Sequence, residues 1–196
     1  MTLGSSMITM DHLLTIAEYA ALSEEESGHT ELSDGQLLAS PSPKPRHNIA
    51  LGDLLLQLAP QLPAHLQAIQ DIDLELVPAG EPGFSRRPDL IVVDRSTVKR
   101  VNEDDDMIRA GEVLLVAEIV SPGSKRTDYV TKHGEYADAG IPHYWIIDLT
   151  DPVSLVSCHR AGDFGYQDAP AATGVFSTTE PVELRVELDR LAQRSW

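Results

Sequence analysis

Two carboxylates stand where apolar side chains are expected. Asp89 opens the run PDLIVVD (88–94), and Glu118 sits inside EVLLVAEIV (112–120), flanked by Val116, Ala117, Ile119 and Val120. Both runs are short, apolar and bounded by turn residues or charge, which predicts buried strands. An ionised carboxylate there is costly to bury unless it is paired or bound to a cation. A hard divalent ion, Mg²⁺ or Mn²⁺, removes that cost, because such ions take oxygen ligands from one or two carboxylates and keep several waters. The plainer alternative is a strand-end acid paired with an arginine.

Pro-Asp on one strand and an acidic residue on the next resembles the skeleton of the PD-(D/E)XK nucleases. That superfamily places a lysine two residues after the second acid, and here that position is Val120. The following segment, SPGSKRTDYVTKHGEYADAGIPHYWIID (121–148), resembles the Uma-two family of endonucleases, in which the next helix carries the lysine. The matching residues are Ser121, Pro122, Asp128, Lys132, Tyr136, Gly140, Tyr144, Trp145 and Asp148. Asp128, Lys132 and Tyr136 are four apart and so share a helix face. Upstream, ELSDGQL is similar to the family's first hairpin, with Glu31 as its acid. SPSPKPRHNIA is similar to the start of its long helix, with His47 in the matching place. The likeness covers roughly residues 11–160, and more loosely VELRVELDRL.

The resemblance implies an α/β (α+β) restriction-endonuclease-like core: a mixed sheet flanked by helices, with extra C-terminal strands, in one domain over 1–196. It implies phosphodiester hydrolysis of DNA. Asp89, Glu118 and the backbone carbonyl of Ile119 would hold Mg²⁺ or Mn²⁺, and Lys132 would orient or deprotonate water or stabilise developing charge. A lysine beside a metal is expected to have a lowered pKa, which suits proton abstraction. Glu31 is a further metal ligand, an orienter of Lys132, or a cross-strand partner. His47 touches a phosphate, caps its helix, or is a surface histidine. Asp128 and Tyr136 are phosphate or orienting contacts, or Asp128 and Lys132 form no more than a solvated i,i+4 ion pair. Arg86, Arg87, Lys125 and Arg126 are candidate phosphate contacts or ordinary surface cations. The alternative function is an inactive nuclease-fold module that binds nucleic acid or a protein partner; Val120 and the acidic surface favour it. A homodimer would ease double-strand cleavage.

Elements must bring these groups together. Helical spacing predicts a short helix over 10–22 and a long amphipathic one over 46–62. SEEESG (23–28) reads as a solvated turn, and Ser33-Asp34-Gly35 as a hairpin turn. PSPKP (41–45) reads as an extended loop. AIQDIDLELV (68–77) alternates as one half-buried strand. VNEDDDMIRAG (101–111) reads as a charged, mobile connection. A helix closed by Gly140 and a third buried strand, HYWIIDL (143–149), follow. The tail holds short strands with a turn at 161–163 and ends in LRVELDRLAQ, a helix or a strand.

The 196-residue chain is long enough for one real core. Its single cysteine, Cys158, reads as a small core residue and suits a reducing, cytoplasmic setting. No apolar run reaches the roughly 18 residues of a membrane span, and the N-terminus lacks a signal-peptide pattern. The net charge of −16 opposes nonspecific DNA binding. Nucleic-acid contact therefore needs a local basic patch, a metal or a partner.

Overall fold

The computed structural model describes residues 6–8, 11–22, 29–39, 42–77 and 82–192. Along the chain the strands are β1 (Ser6–Ile8), β2 (Thr30–Ser33), β3 (Gln36–Ala39), β4 (Leu66–Gln70), β5 (Leu74–Glu75), β6 (Ser85–Arg86), β7 (Leu90–Asp94) and β8 (Ile108–Arg109). They continue as β9 (Val113–Val120), β10 (His143–Asp148), β11 (Ser154–Arg160), β12 (Tyr166–Asp168), β13 (Ala172–Thr173), β14 (Val175–Thr178) and β15 (Leu184–Glu187). The α-helices are α1 (Ile16–Ala20), α2 (Pro45–Leu58), α3 (Arg95–Asp104) and α4 (Lys132–Asp138).

The three apolar runs form the centre of the main sheet, ordered β12-β11-β10-β9-β7-β4 with β13 also on β11. The β9–β10 pair is parallel, and β9 runs antiparallel to β7, so the sheet is mixed as expected. A second sheet has the order β1-β3-β2-β6-β5-β8, and β14 pairs with β15.

Strand alternation divides the core. Leu90, Val92, Leu115, Ala117, Ile119, Trp145 and Ile147 pack with Ala50, Leu51, Leu54 and Leu58 of α2. Ile91, Val93, Val116, Val120, Tyr144 and Ile146 pack on the other face with Tyr136, Ala137 and Ile141. Glu118 lies between Val116 and Val120 in this second register. Tyr144, Trp145 and Cys158 are all buried, which bears out their reading as core.

The hairpin forms where expected, with Asp34 and Gly35 at φ 49° and 74°. Two residues of positive φ favour a type I′ turn. A Cβ on Gly35 would stand 2.7 Å from that of Leu13, so glycine is required by space as well. α2 starts with Pro45 at its first position, where the missing N–H costs nothing. It stops at Leu58, earlier than the expected Leu62, and passes into a 3₁₀ turn containing Pro60.

Four further expectations change. The first helix is only Ile16–Ala20, because Thr15 and Glu18 form a capping box that fixes its start. The strand read over 68–77 is two strands in different sheets, broken where Asp71 takes φ 50°. The connection read over 101–111 contains regular structure. α3 enters it, held at its start by the Asp94 carboxylate on Ser96 N–H at 2.8 Å and closed by Asp105 at φ 52°; β8 follows. LRVELDRLAQ is both alternatives in turn, β15 and then a 3₁₀ helix over Leu188–Leu191. The turn read over 23–28 lies outside the described residues, as does Pro41 of the PSPKP loop.

Candidate active site

Register brings the two carboxylates to one end of the sheet. β7 is antiparallel to β9, with Leu90 opposite Ala117. Asp89, just before β7, therefore lies beside the last residues of β9. Its Oδ2 accepts the Ile119 N–H at 2.6 Å and lies 3.0 Å from His47 Nε2, near the start of α2.

Glu118 is held from the opposite side. Its Oε1 accepts from Lys132 Nζ at 2.8 Å and from the Tyr136 hydroxyl at 2.7 Å. Both donors come from α4, so the ammonium reaches over the sheet face on which a lysine at 120 would stand. Lys132 Nζ is also 3.3 Å from Glu31 Oε1 on β2. A π turn over Thr127–Thr131 precedes α4; such turns recur at functional sites. Asp128 on that turn is buried and accepts from Ser124 Oγ at 2.5 Å. The Tyr144 hydroxyl donates to the Asp128 carbonyl at 3.0 Å.

Glu31 is fixed in turn. Arg86 Nη1 donates to its Oε2 at 3.1 Å, and the Arg87 N–H donates to its Oε1 at 3.2 Å. Arg86 also grips Glu135 with two bonds, of 2.7 and 2.6 Å. Such paired geometry is where arginine is strongest. The cluster thus holds five carboxylates, Glu31, Asp89, Glu118, Asp128 and Glu135, against two full cations, Arg86 and Lys132.

That imbalance sets the protonation. Burial, opposed by Lys132 but aided by Asp89 and Asp128, pushes Glu118 up to about 8. Burial likewise pushes Asp128 up to about 6, against Lys132 and the Ser124 hydrogen bond. Glu31 is also buried, yet Lys132 and Arg86 outweigh that and lower it. For His47 burial acts downward, but the hydrogen bond and charge of Asp89 prevail and raise it. The lowering expected for Lys132 belongs to the metal-bound site; in the metal-free protein its acidic neighbours decide. Burial does act downward, but Glu118, Glu31 and Asp128 overcome it and raise the ammonium well above its ordinary value.

The donor set fits a divalent cation. Asp89 Oδ1 and Glu118 Oε2 take no part in the bonds above, while their partner oxygens are fixed by donors, as carboxylate ligands usually are. The excess negative charge attracts a cation, and oxygen donors suit Mg²⁺ or Mn²⁺. The Ile119 N–H points to Asp89, and the N–H and C=O of one strand residue project to the same side.

Other expected contacts lie elsewhere. Arg86 is 4 % exposed and spent on Glu31 and Glu135, so it is not available to a phosphate. Arg87 turns its guanidinium to Asp71 at 3.1 Å. Lys125 is exposed and bonds to Asp148 at 2.9 Å, and Arg126 is exposed beside it. Sequence reading missed three members: Glu135, Ser124 and Arg46. Glu135 is three residues from Lys132, so the same helical spacing could have found it. Arg46 donates to the Leu149 carbonyl, which sets it next to the Lys125–Asp148 pair.

The family model Uma2, described as "putative restriction endonuclease", matches residues 16–190. Among solved structures, the fold is similar to that of a putative nuclease of the DUF820 family from Anabaena variabilis. The TM-score is 0.64 at 16 % identity, over 91 % of this chain and 97 % of that one. No curated protein matches the chain significantly.

Proposed function

The chain belongs to the Uma2 restriction endonuclease family, and from that membership we propose a metal-dependent nuclease, formed by residues 1–196 as one domain, that hydrolyses phosphodiester bonds of DNA. One observation carries this reading: a buried cluster with more carboxylates than cations holds an ammonium 2.8 Å from Glu118.

Asp89 and Glu118 would hold Mg²⁺ or Mn²⁺ through Oδ1 and Oε2, with the Ile119 carbonyl as a third ligand. The bound ion supplies Lewis acidity and a water of lowered pKa. The Ile119 N–H and His47 fix the Asp89 carboxylate, and Lys132 with Tyr136 fixes that of Glu118. Lys132 is placed as a fixed charge, because Glu118 and Glu31 both hold its ammonium, at 2.8 and 3.3 Å. It stabilises negative charge developing on the phosphate, the kind of electrostatic help that is largest in a preorganised site. Glu31 positions the ammonium, and Arg86 positions Glu31. The same end of the sheet carries Lys44, Arg46, Lys125 and Arg126, all exposed, which supports a local basic rim on an acidic protein.

Among the described residues no helix is long and apolar enough to cross a membrane. The test combines Mn²⁺ titration, followed by thermal unfolding, with nicking of supercoiled plasmid. Asp89→Ala/Glu118→Ala should remain folded and lose both metal stabilisation and nicking. If that double variant binds Mn²⁺ as the parent does, the proposed site is wrong.

A further inference from the structure

A second group of ligand-type side chains lies across α4 from Lys132. β11 and β12 are antiparallel with Cys158 directly opposite Asp168. Directly opposed residues project to the same face of a sheet, and on this face the Cys158 thiol packs with Tyr144 and Tyr166. His133 descends onto it from α4, its Nε2 2.8 Å from Asp168 Oδ1. Ligand atoms from His133, Cys158 and Asp168 all lie within 4.8 Å of one another. Tyr166 and Tyr144 meet the imidazole edge-on at 5.2 and 6.4 Å between ring centres, which fixes its plane.

We propose that His133, Cys158 and Asp168 form a second cation site, selective for a borderline-soft transition ion of the Zn²⁺ type. The donor chemistry separates it from the oxygen-only cluster. Thiolate and imidazole suit Zn²⁺, whereas carboxylates with water suit Mg²⁺ and Mn²⁺. Three protein ligands leave one tetrahedral position for water. Access comes from the Asp168 side: that side chain is 51 % exposed and that of His133 22 %, while Cys158 is enclosed at 1 %.

Binding is balanced by one proton. Cys158 loses its thiol proton to solvent and ligates as thiolate. His133 ligates through Nε2 with a proton kept on Nδ1. Only the thiolate is a ligand, so the thiol proton must leave before the ion can bind. Affinity therefore rises with pH. The ion would clip α4, and with it Lys132 and Tyr136, to the β11–β12 edge. The site stands apart from the proposed nuclease chemistry and needs none of its residues.

The experiment uses metal-stripped full-length protein and Co²⁺ as a visible substitute for Zn²⁺. One equivalent should produce a thiolate-to-cobalt charge-transfer band, release about one proton at mildly alkaline pH, and be displaced by Zn²⁺. Asp89→Ala/Glu118→Ala should keep the band, and Cys158→Ser should lose it. His133→Ala and Asp168→Asn change partly exposed side chains and so guard against misfolding at Cys158. Each should weaken Co²⁺ binding tenfold or more. Absence of the band, or a band indifferent to His133→Ala and Asp168→Asn, would reduce the group to a hydrogen-bonded cluster and overturn the proposal.

Discussion

Two charged clusters in this protein use the same residue types to opposite effect. At the end of α3, Arg100 grips Glu112 at 2.9 and 2.7 Å and Asp106 at 2.5 Å, while Arg109 reaches Asp106 at 2.6 Å. These groups are partly exposed. The Met107 N–H, followed by Arg100 and Arg109, lowers the Asp106 carboxyl, and only Glu75 at the margin is raised, by burial. At the end of β9, by contrast, Glu118 and Asp128 are raised although Lys132 is beside them. Ion pairing alone therefore does not mark a functional site. The proposed function rests instead on a shortage of positive charge in a buried place, a deficit that a cation can fill.

The sharpest way to break this contrast is to remove the one ammonium. Lys132→Ala should lower nicking 10²-fold or more, comparable to losing other preorganised electrostatic groups, while Mn²⁺ still binds. Lys125→Ala should be milder, since Lys125 lies on the exposed rim. Val120→Lys in the Lys132→Ala background should restore part of the activity by the strand route, with Val120's packing as the limit. If Lys132→Ala nicks plasmid as well as the parent, the two clusters are alike and both are structural.

Proton linkage tests the same deficit without catalysis. The folded protein holds the Glu118 proton to about 8, against an ordinary 4.5. This raised group stabilises fully below 4.5 and loses its contribution as pH climbs through 8. His47 acts in the same direction, and Asp128 does so below about 6. Glu31, lowered, contributes at higher pH and loses its effect only in acid. Metal-free protein should therefore melt at lower temperature at pH 8 than at pH 6. Glu118→Gln should make that decline shallower, and Mn²⁺ should stabilise more at pH 8. An unchanged slope in Glu118→Gln would mean that its proton is not tightly held.

The smallest effect belongs to the paired cluster. Arg100→Ala breaks partly solvated ion pairs worth about 1 kcal/mol or less each. Thermal unfolding should show a modest loss, and nicking per folded molecule should not change. A strong loss of activity would connect the far cluster to the chemistry.

Much of the frame is legible in the sequence because its signals are local. β7, β9 and β10 are continuous apolar runs, Asp34-Gly35 marks its hairpin, and Pro45 marks the start of α2. α3 is not legible in that way: its packed side chains are Thr97, Val98 and Val101, a narrow stripe among charges. The break between β4 and β5 rests on one backbone angle, at Asp71. Asp89 and Glu118 stand out as charges inside apolar strands. Arg86 and Arg87, adjacent and chemically identical, have no local feature that tells them apart. One is buried between β2 and α4 and the other faces Asp71, a difference that only distant parts of the chain impose.

The Lys132–Glu31 pair ties the first hairpin to a helix far along the chain. During synthesis Glu31 leaves the ribosome long before Lys132. Closing so long a loop carries an entropic penalty that only the assembled sheets can offset. A chain that lacks α4 would lack the ammonium that Glu31 and Glu118 hold. In the proposed nuclease, catalytic competence would thus depend on contacts between the first hairpin and a helix about a hundred residues later.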